Sequence, residues 1–240
     1  MNSILFGTQL IRYELTRSTR RKTLSISVNQ NGVFVVSPIE IPLEKIEATL
    51  NKKASWIVKQ LNDFCEMNKS FQRRSFLSGE KLPYLGRQYR LKIIKMDATE
   101  PSFRFYQGHF LANLPNDIPE ESHREILQPL YVEWLKQRAF EFSLNRIKRF
   151  TLKLQLEPKK VIIKEQDQRW GSCTASGNIL LNWRIFLAPT SIIDYVLAHE
   201  LAHLKHLNHS KEYWETLQML LPDYEQRKEW LKINGGTLNV

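Results

Sequence analysis

Leu24, Ile26 and Val28 alternate with polar neighbours, and Val33-Phe34-Val35-Val36 follows after Asn31-Gly32. A period of two marks half-buried strands. Asn-Gly between two strand-like runs is a strong short hairpin signal. Pro38 and Pro42 close the pair, and from Leu43 the period lengthens. Leu43, Ile46, Leu50, Ile57, Leu61 and Phe64 trace one helical face as far as Cys65. Residues 66–78 are polar and read as a connector. The chain is therefore expected to hold an N-terminal β-hairpin and helix region over 1–78 and a second domain over 79–240.

The second domain opens with short strand patterns. Tyr89–Lys95, Phe103–Phe105 and His109–Ala112 predict antiparallel strands with turns near Gly86 and Gly108. Asn116-Asp117-Ile118-Pro119 is a helix start. The helix runs towards Phe150, with Leu127, Tyr131, Trp134, Leu135, Phe142 and Ile147 on its apolar side. Val161–Ile163 and Ile179–Ile185 read as strands flanking Gln168-Arg169-Trp170-Gly171-Ser172-Cys173 and a turn at Ser176-Gly177-Asn178. Pro189-Thr190-Ser191 starts another helix, with Ser191 and Asp194 as a capping pair. Its back is buried by Ile192, Ile193, Val196 and Leu197. Ser210 caps a helix bearing Tyr213, Trp214 and Leu217, and Tyr224–Leu231 forms a last one beyond Pro222. No internal repeat or low-complexity segment is evident. The expected fold class is α+β.

Four of the six histidines fall between His199 and His209. On a helix, His199 and His203 lie about 40° apart and about 6 Å along the axis. Two imidazoles so placed bind one metal ion from one face. Glu200, about 100° round from His199, is positioned to take a proton from a metal-activated water. A catalytic metal needs a third protein ligand and an open position. His209, ten residues after His199, completes the spacing of the run H-E-x-x-H-x-x-G-x-x-H, although His206 stands where that run has Gly. The helix must break for His209 to reach the metal, and Asn208 tolerates the left-handed conformation of such a break. Glu212, Glu215 and Glu225 are alternative third ligands, and His206 reads as a residue behind the ligands or on the surface. Cys173 raises the alternative of a Cys–His nucleophile pair, but an unpaired Cys in a strand region ordinarily packs.

Composition narrows the classes. The hydrophobic share of 42% with 11% aromatic excludes general disorder. No run approaches the apolar length of a membrane span, and the N-terminus carries no signal-peptide pattern. Two cysteines, Cys65 and Cys173, exclude a disulfide framework and a Cys₄ metal site. Cytoplasmic location without membrane contact is expected. The net charge of +10 can attract nucleic acid, nucleotides or acidic lipid, while its plain reading is a solvated surface. The one tight basic run, Arg17 to Lys22, reads as charge protecting an exposed strand edge, with phosphate binding as the alternative.

Separated motifs then point to a family. Arg20-Arg21-Lys22-Thr23-Leu24-Ser25-Ile26, Arg169-Trp170-Gly171-Ser172-Cys173, Leu181-Asn182-Trp183-Arg184, His199-Glu200-Leu201-Ala202-His203, Asn208-His209-Ser210 and Tyr213-Trp214 occur in one order. Together they resemble the YgjP-like metallopeptidase-domain family, similar to the SprT-like and WLM zincins. The family usually shows Phe-Trp at Tyr213-Trp214. The resemblance implies a gluzincin-like core with zinc on His199, His203 and His209 and Glu200 as base. It names no firm substrate, and some members are connected with nucleoside triphosphate hydrolysis.

Three functional expectations result. The first is a zinc-dependent hydrolase, a metallopeptidase that holds an extended peptide on the edge of the strand near Leu181–Ile185. The second is a metal-dependent nucleoside triphosphate pyrophosphatase or phosphohydrolase, with Arg169, Arg184 or Lys164 balancing phosphate charge. The third is a zinc-containing module that binds nucleic acid. Arg169, Trp170, Asn182 and Arg184 are the candidate substrate-binding residues.

Overall fold

The computed structural model describes residues 2–7, 9–19, 21, 23–29, 32–69, 74–97, 99–166 and 169–240. Arg20 and Lys22 of the basic run, Asn31 of the expected turn and Gln168 lie outside the described residues. The chain forms two compact units, Met1–Gln72 and Arg73–Val240. The architecture is α+β.

The first unit begins with two strands beyond the expected ones, β1 (Asn2–Phe6) and β2 (Gln9–Ser18). The expected hairpin follows as β3 (Ser25–Asn29) and β4 (Gly32–Pro38). The sheet order is β1-β2-β4-β3, with β2 and β4 parallel. Helices α1 (Leu43–Lys52) and α2 (Ala54–Lys69) replace the single expected helix, because the backbone at Lys53 leaves helical geometry (φ −103°, ψ 5°). Ile46, Leu50, Ala54 and Ile57 bury against Ile4, Ile11, Tyr13, Val33 and Val35. Arg17 lies on the part of β2 beyond its pairing with β1, which stops at Asn2 opposite Tyr13. There β2 pairs with β4 alone, and the Arg17 guanidinium donates to the carbonyls of Pro38 and Ile41.

The second unit opens with β5 (Lys81–Tyr84), β6 (Arg87–Met96), β7 (Ser102–Tyr106) and β8 (His109–Pro115), ordered β5-β6-β8-β7. The two hairpins are antiparallel as expected, but β6 and β8 pair in parallel. The long helix α3 (His123–Leu154) lays Leu127, Tyr131 and Leu135 into the same core as Leu91, Phe110, Ala112 and Leu114 of the sheet. A three-stranded sheet follows, β10 (Gly171–Cys173), β11 (Asn178–Asn182) and β9 (Lys160–Lys164) in that order. The last elements are α4 (Thr190–Ala202), α5 (Lys211–Leu220) and α6 (Tyr224–Asn234). The strand expected over Ile179–Ile185 stops at Asn182. Asn182 Oδ1 accepts the Arg184 N–H at 3.1 Å and turns the chain into a 3₁₀ segment, Trp183–Leu187.

The two four-stranded sheets share a plan that the sequence reading missed. Each joins two antiparallel hairpins through a parallel pairing of its second and fourth strands. In each the fourth strand ends in Pro-x-x-Ile-Pro, Pro38–Pro42 and Pro115–Pro119. Ile41 N–H bonds the Pro38 carbonyl and Ile118 N–H the Pro115 carbonyl, both at 3.4 Å. A cation on the neighbouring strand, Arg17 or Lys95, caps the carbonyls of the proline and the isoleucine. Strand register and the Pro-x-x-Ile-Pro spacing thus form an internal repeat.

Two contacts fix the start of α4. Leu85 and Gly86 both have positive φ (50° and 77°), forming a primed turn of the β5–β6 hairpin. Their N–H groups donate to the carbonyls of Phe186 and Leu187 at 2.9 and 3.1 Å. A Cβ on Gly86 would come 2.6 Å from Pro189 Cα. No helix among the described residues is long and apolar enough to cross a membrane.

Candidate metal centre

Helix α4 is apolar on nearly every side. Ten of its residues are buried, including Glu200, and His199 is half-buried. Such a helix belongs to a protein interior, and its orientation is locked from outside. Asp194 does not cap it with Ser191. Its two carboxylate oxygens accept from Arg146 Nε at 2.7 Å and Nη2 at 2.5 Å on α3. Pro189 occupies the capping position without a side-chain bond.

The helix ends at Ala202, and His203 follows as its C-terminal cap. The N–H groups of Leu204, Lys205 and His206 fold back onto the carbonyls of Leu201 and Ala202 at 3.0–3.1 Å. Asn208 is not among the residues with positive φ, so the reversal runs through this tight turn rather than a left-handed asparagine. Ser210 then caps α5, accepting the Tyr213 N–H at 3.5 Å. His209 thus stands immediately before a helix start, which returns it towards α4.

The result brings His199, His203 and His209 together, with one ligand atom from each all lying within 4.8 Å of one another. The Nε2 atoms of His199 and His209 are 3.4 Å apart. Two nitrogens bound at about 2.0–2.1 Å to one tetrahedral ion lie about 3.3 Å from each other. The arrangement fits a shared cation. The Nδ1–H of His203 donates to the His206 carbonyl at 3.0 Å. A carbonyl only accepts, so the proton of that ring is on Nδ1 and the lone pair is on Nε2. Burial, then the neighbouring His203 and His209, push His199 down to about 3, so it is neutral and free to ligate. Burial and His203 also lower His209. The ring of His209 stacks on Trp214 at 5.5 Å, and Trp214 on Tyr224 at 5.6 Å. His206 turns away to Thr216 Oγ1 at 3.1 Å. Glu212, Glu215 and Glu225 are exposed and engaged with Ser210, Lys211 and Tyr224, so none supplies the third position among the described residues.

Glu200 is 5% exposed beside the triad. Burial pushes its carboxyl up to about 8, while Arg169 and the Cys173 N–H pull in the opposite direction. It rests against β10 where only a glycine fits. A Cβ on Gly171 would come 2.8 Å from Glu200 Cγ and Oε1. Cys173 shares this cleft, but burial and Glu200 raise its thiol, which stays protonated and unsuited to nucleophilic attack.

The triad and Glu200 open into a cleft of ≈ 500 Å³, also lined by Arg169 and Trp170. Trp170 packs against Gly235, where a Cβ would come 3.0 Å from its ring. Asn182 and Arg184, two of the candidate substrate-binding residues, are not among the residues that line the cleft. Asn182 is 3% exposed, and its Nδ2 donates to the carbonyls of Gln166 and Arg169 at 2.8 and 3.1 Å. It fastens the loop that carries Arg169. Arg184 is committed to Glu165 at 2.6 Å and to Asn239 at 3.3 Å, over the Trp183 ring. Lys164, at the exposed end of β9, is also not among the lining residues. β11 is paired on both sides, so the edges of this small sheet are β10 and β9, and β10 is the one that lines the cleft.

Tyr213, placed by the sequence on a helix and in a family motif but given no role there, lies under all three imidazoles. Its ring centroid is 5.5 Å from His199, 4.6 Å from His203 and 4.7 Å from His209. Its hydroxyl is 2.7 Å from His199 Nδ1 and 3.2 Å from the His199 carbonyl. Fourteen residues separate the two partners, beyond any helical period, so only the α4–α5 packing reveals the contact.

No curated protein matches the chain. The profile of the YgjP-like metallopeptidase domain matches residues 22–234, which include every residue of the triad, Glu200 and β10. The chain belongs to the YgjP-like metallopeptidase-domain family.

Proposed function

We propose that this protein is a zinc-dependent peptidase, with His199, His203 and His209 as ligands and Glu200 as general base. The convergence of three imidazoles beside a buried carboxylate carries this reading. Three neutral nitrogen ligands suit zinc. A bound zinc ion brings the pKa of its water to near 7 and polarises the scissile carbonyl. Glu200 titrates lower once a dication is close, takes the proton of the attacking water and passes it to the leaving amine. Gly171 keeps β10 close to that carboxylate without displacing it.

The same strand offers a place for an extended substrate. Trp170 O and Thr174 N pair with Asn182 and Asn178 of β11 at 2.8 and 2.9 Å. In an antiparallel ladder the intervening residues point their polar groups the other way. Gly171 and Cys173 therefore turn N–H and C=O towards the open edge, where the Cys173 N–H faces Glu200. A peptide laid along that edge pairs by main-chain bonds. Arg169, a cleft cation without an ion-pair partner among the described residues, supports a second reading in which the substrate is a nucleoside triphosphate.

Zinc-loaded protein is to be assayed on unfolded casein and on each nucleoside triphosphate side by side, with Glu200→Gln as control. Casein cleavage that disappears in Glu200→Gln while zinc is retained is the expected outcome. Pyrophosphate or phosphate release without casein cleavage selects the nucleotide reading. Full activity of Glu200→Gln removes the base from the mechanism.

A further inference from the structure

The geometry points to Tyr213 as a positioning residue whose hydroxyl sets the tautomer of His199 and so makes its Nε2 a metal ligand. The inference rests on the proposed metal site, but concerns binding rather than turnover. Tyr213 is fully buried on α5. Its hydroxyl meets two groups of one residue, His199 Nδ1 at 2.7 Å and the His199 carbonyl at 3.2 Å. A phenol has one proton to give. The carbonyl only accepts, whereas the imidazole nitrogen takes either role. Both contacts are satisfied together in a single arrangement. The Tyr213 O–H donates to the carbonyl, and its oxygen accepts from Nδ1–H of His199. The neutral ring carries one proton, so Nε2 keeps a lone pair, aimed at the point it shares with His209 Nε2, 3.4 Å away.

The opposite arrangement has the phenol donating to Nδ1. It leaves the buried carbonyl contact without a proton and puts the ring proton on Nε2, where it blocks coordination. His203 obtains the same outcome from a main-chain carbonyl, that of His206. His199 obtains it from a side chain, at a position where the family usually carries phenylalanine, so the device is particular to this chain and open to mutation.

Tyr213 acts through two separable parts. The ring is the floor under the three imidazoles, and phenylalanine preserves it. The hydroxyl is the orienting group, and phenylalanine removes it. Loss of a group that orients a metal-bound histidine typically costs 10- to 100-fold in metal affinity.

The test is the full-length chain with Tyr213→Phe. Zinc affinity is measured by competition with a chromophoric chelator, and the imidazole tautomers of the metal-free wild type by long-range ¹⁵N–¹H NMR. Expected are a zinc dissociation constant raised about 10- to 100-fold and a His199 ring protonated on Nδ1. Unchanged or tighter zinc binding by Tyr213→Phe overturns the assignment. So does an Nε2–H tautomer of His199 in the wild type, a readout that stands even if the variant fails to fold. Neither measurement uses a substrate. A protein that shows both effects and cleaves nothing retains this inference and loses the peptidase reading.

Discussion

Replacing Gly171 with alanine tests how closely Glu200 and β10 must approach. The added Cβ lies 2.8 Å from Glu200 Cγ and Oε1 and 3.0 Å from Cδ. Comfortable carbon contacts begin at about 3.5 Å, so one partner has to retreat by about 0.7 Å. The strand is held by its ladder to β11, and the backbone of α4 is packed on nearly all sides. The carboxylate is the part that yields. Misplacing a reacting group by about 1 Å costs on the order of 10²-fold, so kcat is expected to fall about 10- to 100-fold. Overpacking costs about 1–3 kcal/mol, a Tm loss of roughly 2–12 °C at this size. The three atoms nearest the new methyl all belong to Glu200, so zinc stoichiometry is expected to be unchanged. Casein hydrolysis, metal content and thermal melting of wild type and Gly171→Ala decide the matter. Wild-type turnover by a zinc-loaded Gly171→Ala would refute the close approach as a requirement of Glu200 chemistry.

Other perturbations have equally direct outcomes. Arg146→Met leaves Asp194 without its two bonds and is expected to cost about 2–3 kcal/mol. The double change Arg146→Met with Asp194→Leu recovers most of that loss in denaturant melts, and no recovery would count against the pair as the cause. In the metal-free chain, Glu200 titrates near 8 rather than 4.5, so from about 4.5 to 8 the folded chain holds a proton that the unfolded chain has released, and stability falls as pH rises. His199, at about 3 rather than 6.5, acts in reverse between those values, since there the unfolded chain holds the extra proton. Only the Glu200 slope remains between pH 6.5 and 8, so Glu200→Gln is expected to flatten the Tm decline there, and an equal decline in the variant contradicts the burial argument. Chelation is expected to abolish hydrolysis and, for a site filled at about 100 times its Kd, to remove about 2.7 kcal/mol of stability. Added zinc restores both in the wild type, and restoration in His209→Ala would exclude that residue as a ligand.

The site was more legible than the scaffold. His199, Glu200 and His203 share one helical turn, and local spacing reports such proximity directly. The way His209 returns was not legible, because the reversal uses main-chain bonds of Leu204–His206 rather than the left-handed residue expected at Asn208. Asn182 and Arg184 stand next to each other in a motif, but one ends a strand and the other begins a 3₁₀ segment, so both turn to structural bonds. Tyr213 and Asp194 act across packed helices, where no periodicity in the chain marks the partner. The missed strand β2 did carry a signal, since Ile11, Tyr13 and Leu15 alternate with polar residues. So did the internal repeat, through Pro38–Pro42 and Pro115–Pro119, but only the shared strand register gives those prolines a common meaning.

Diffraction from zinc-soaked crystals, collected on both sides of the zinc absorption edge, tests the central claim most directly. One anomalous peak is predicted, about 2.0–2.1 Å from the Nε2 atoms of His199, His203 and His209, with a fourth position facing Glu200. A peak elsewhere, or one bound by His199 and His203 with the ring of His209 turned away, would contradict it.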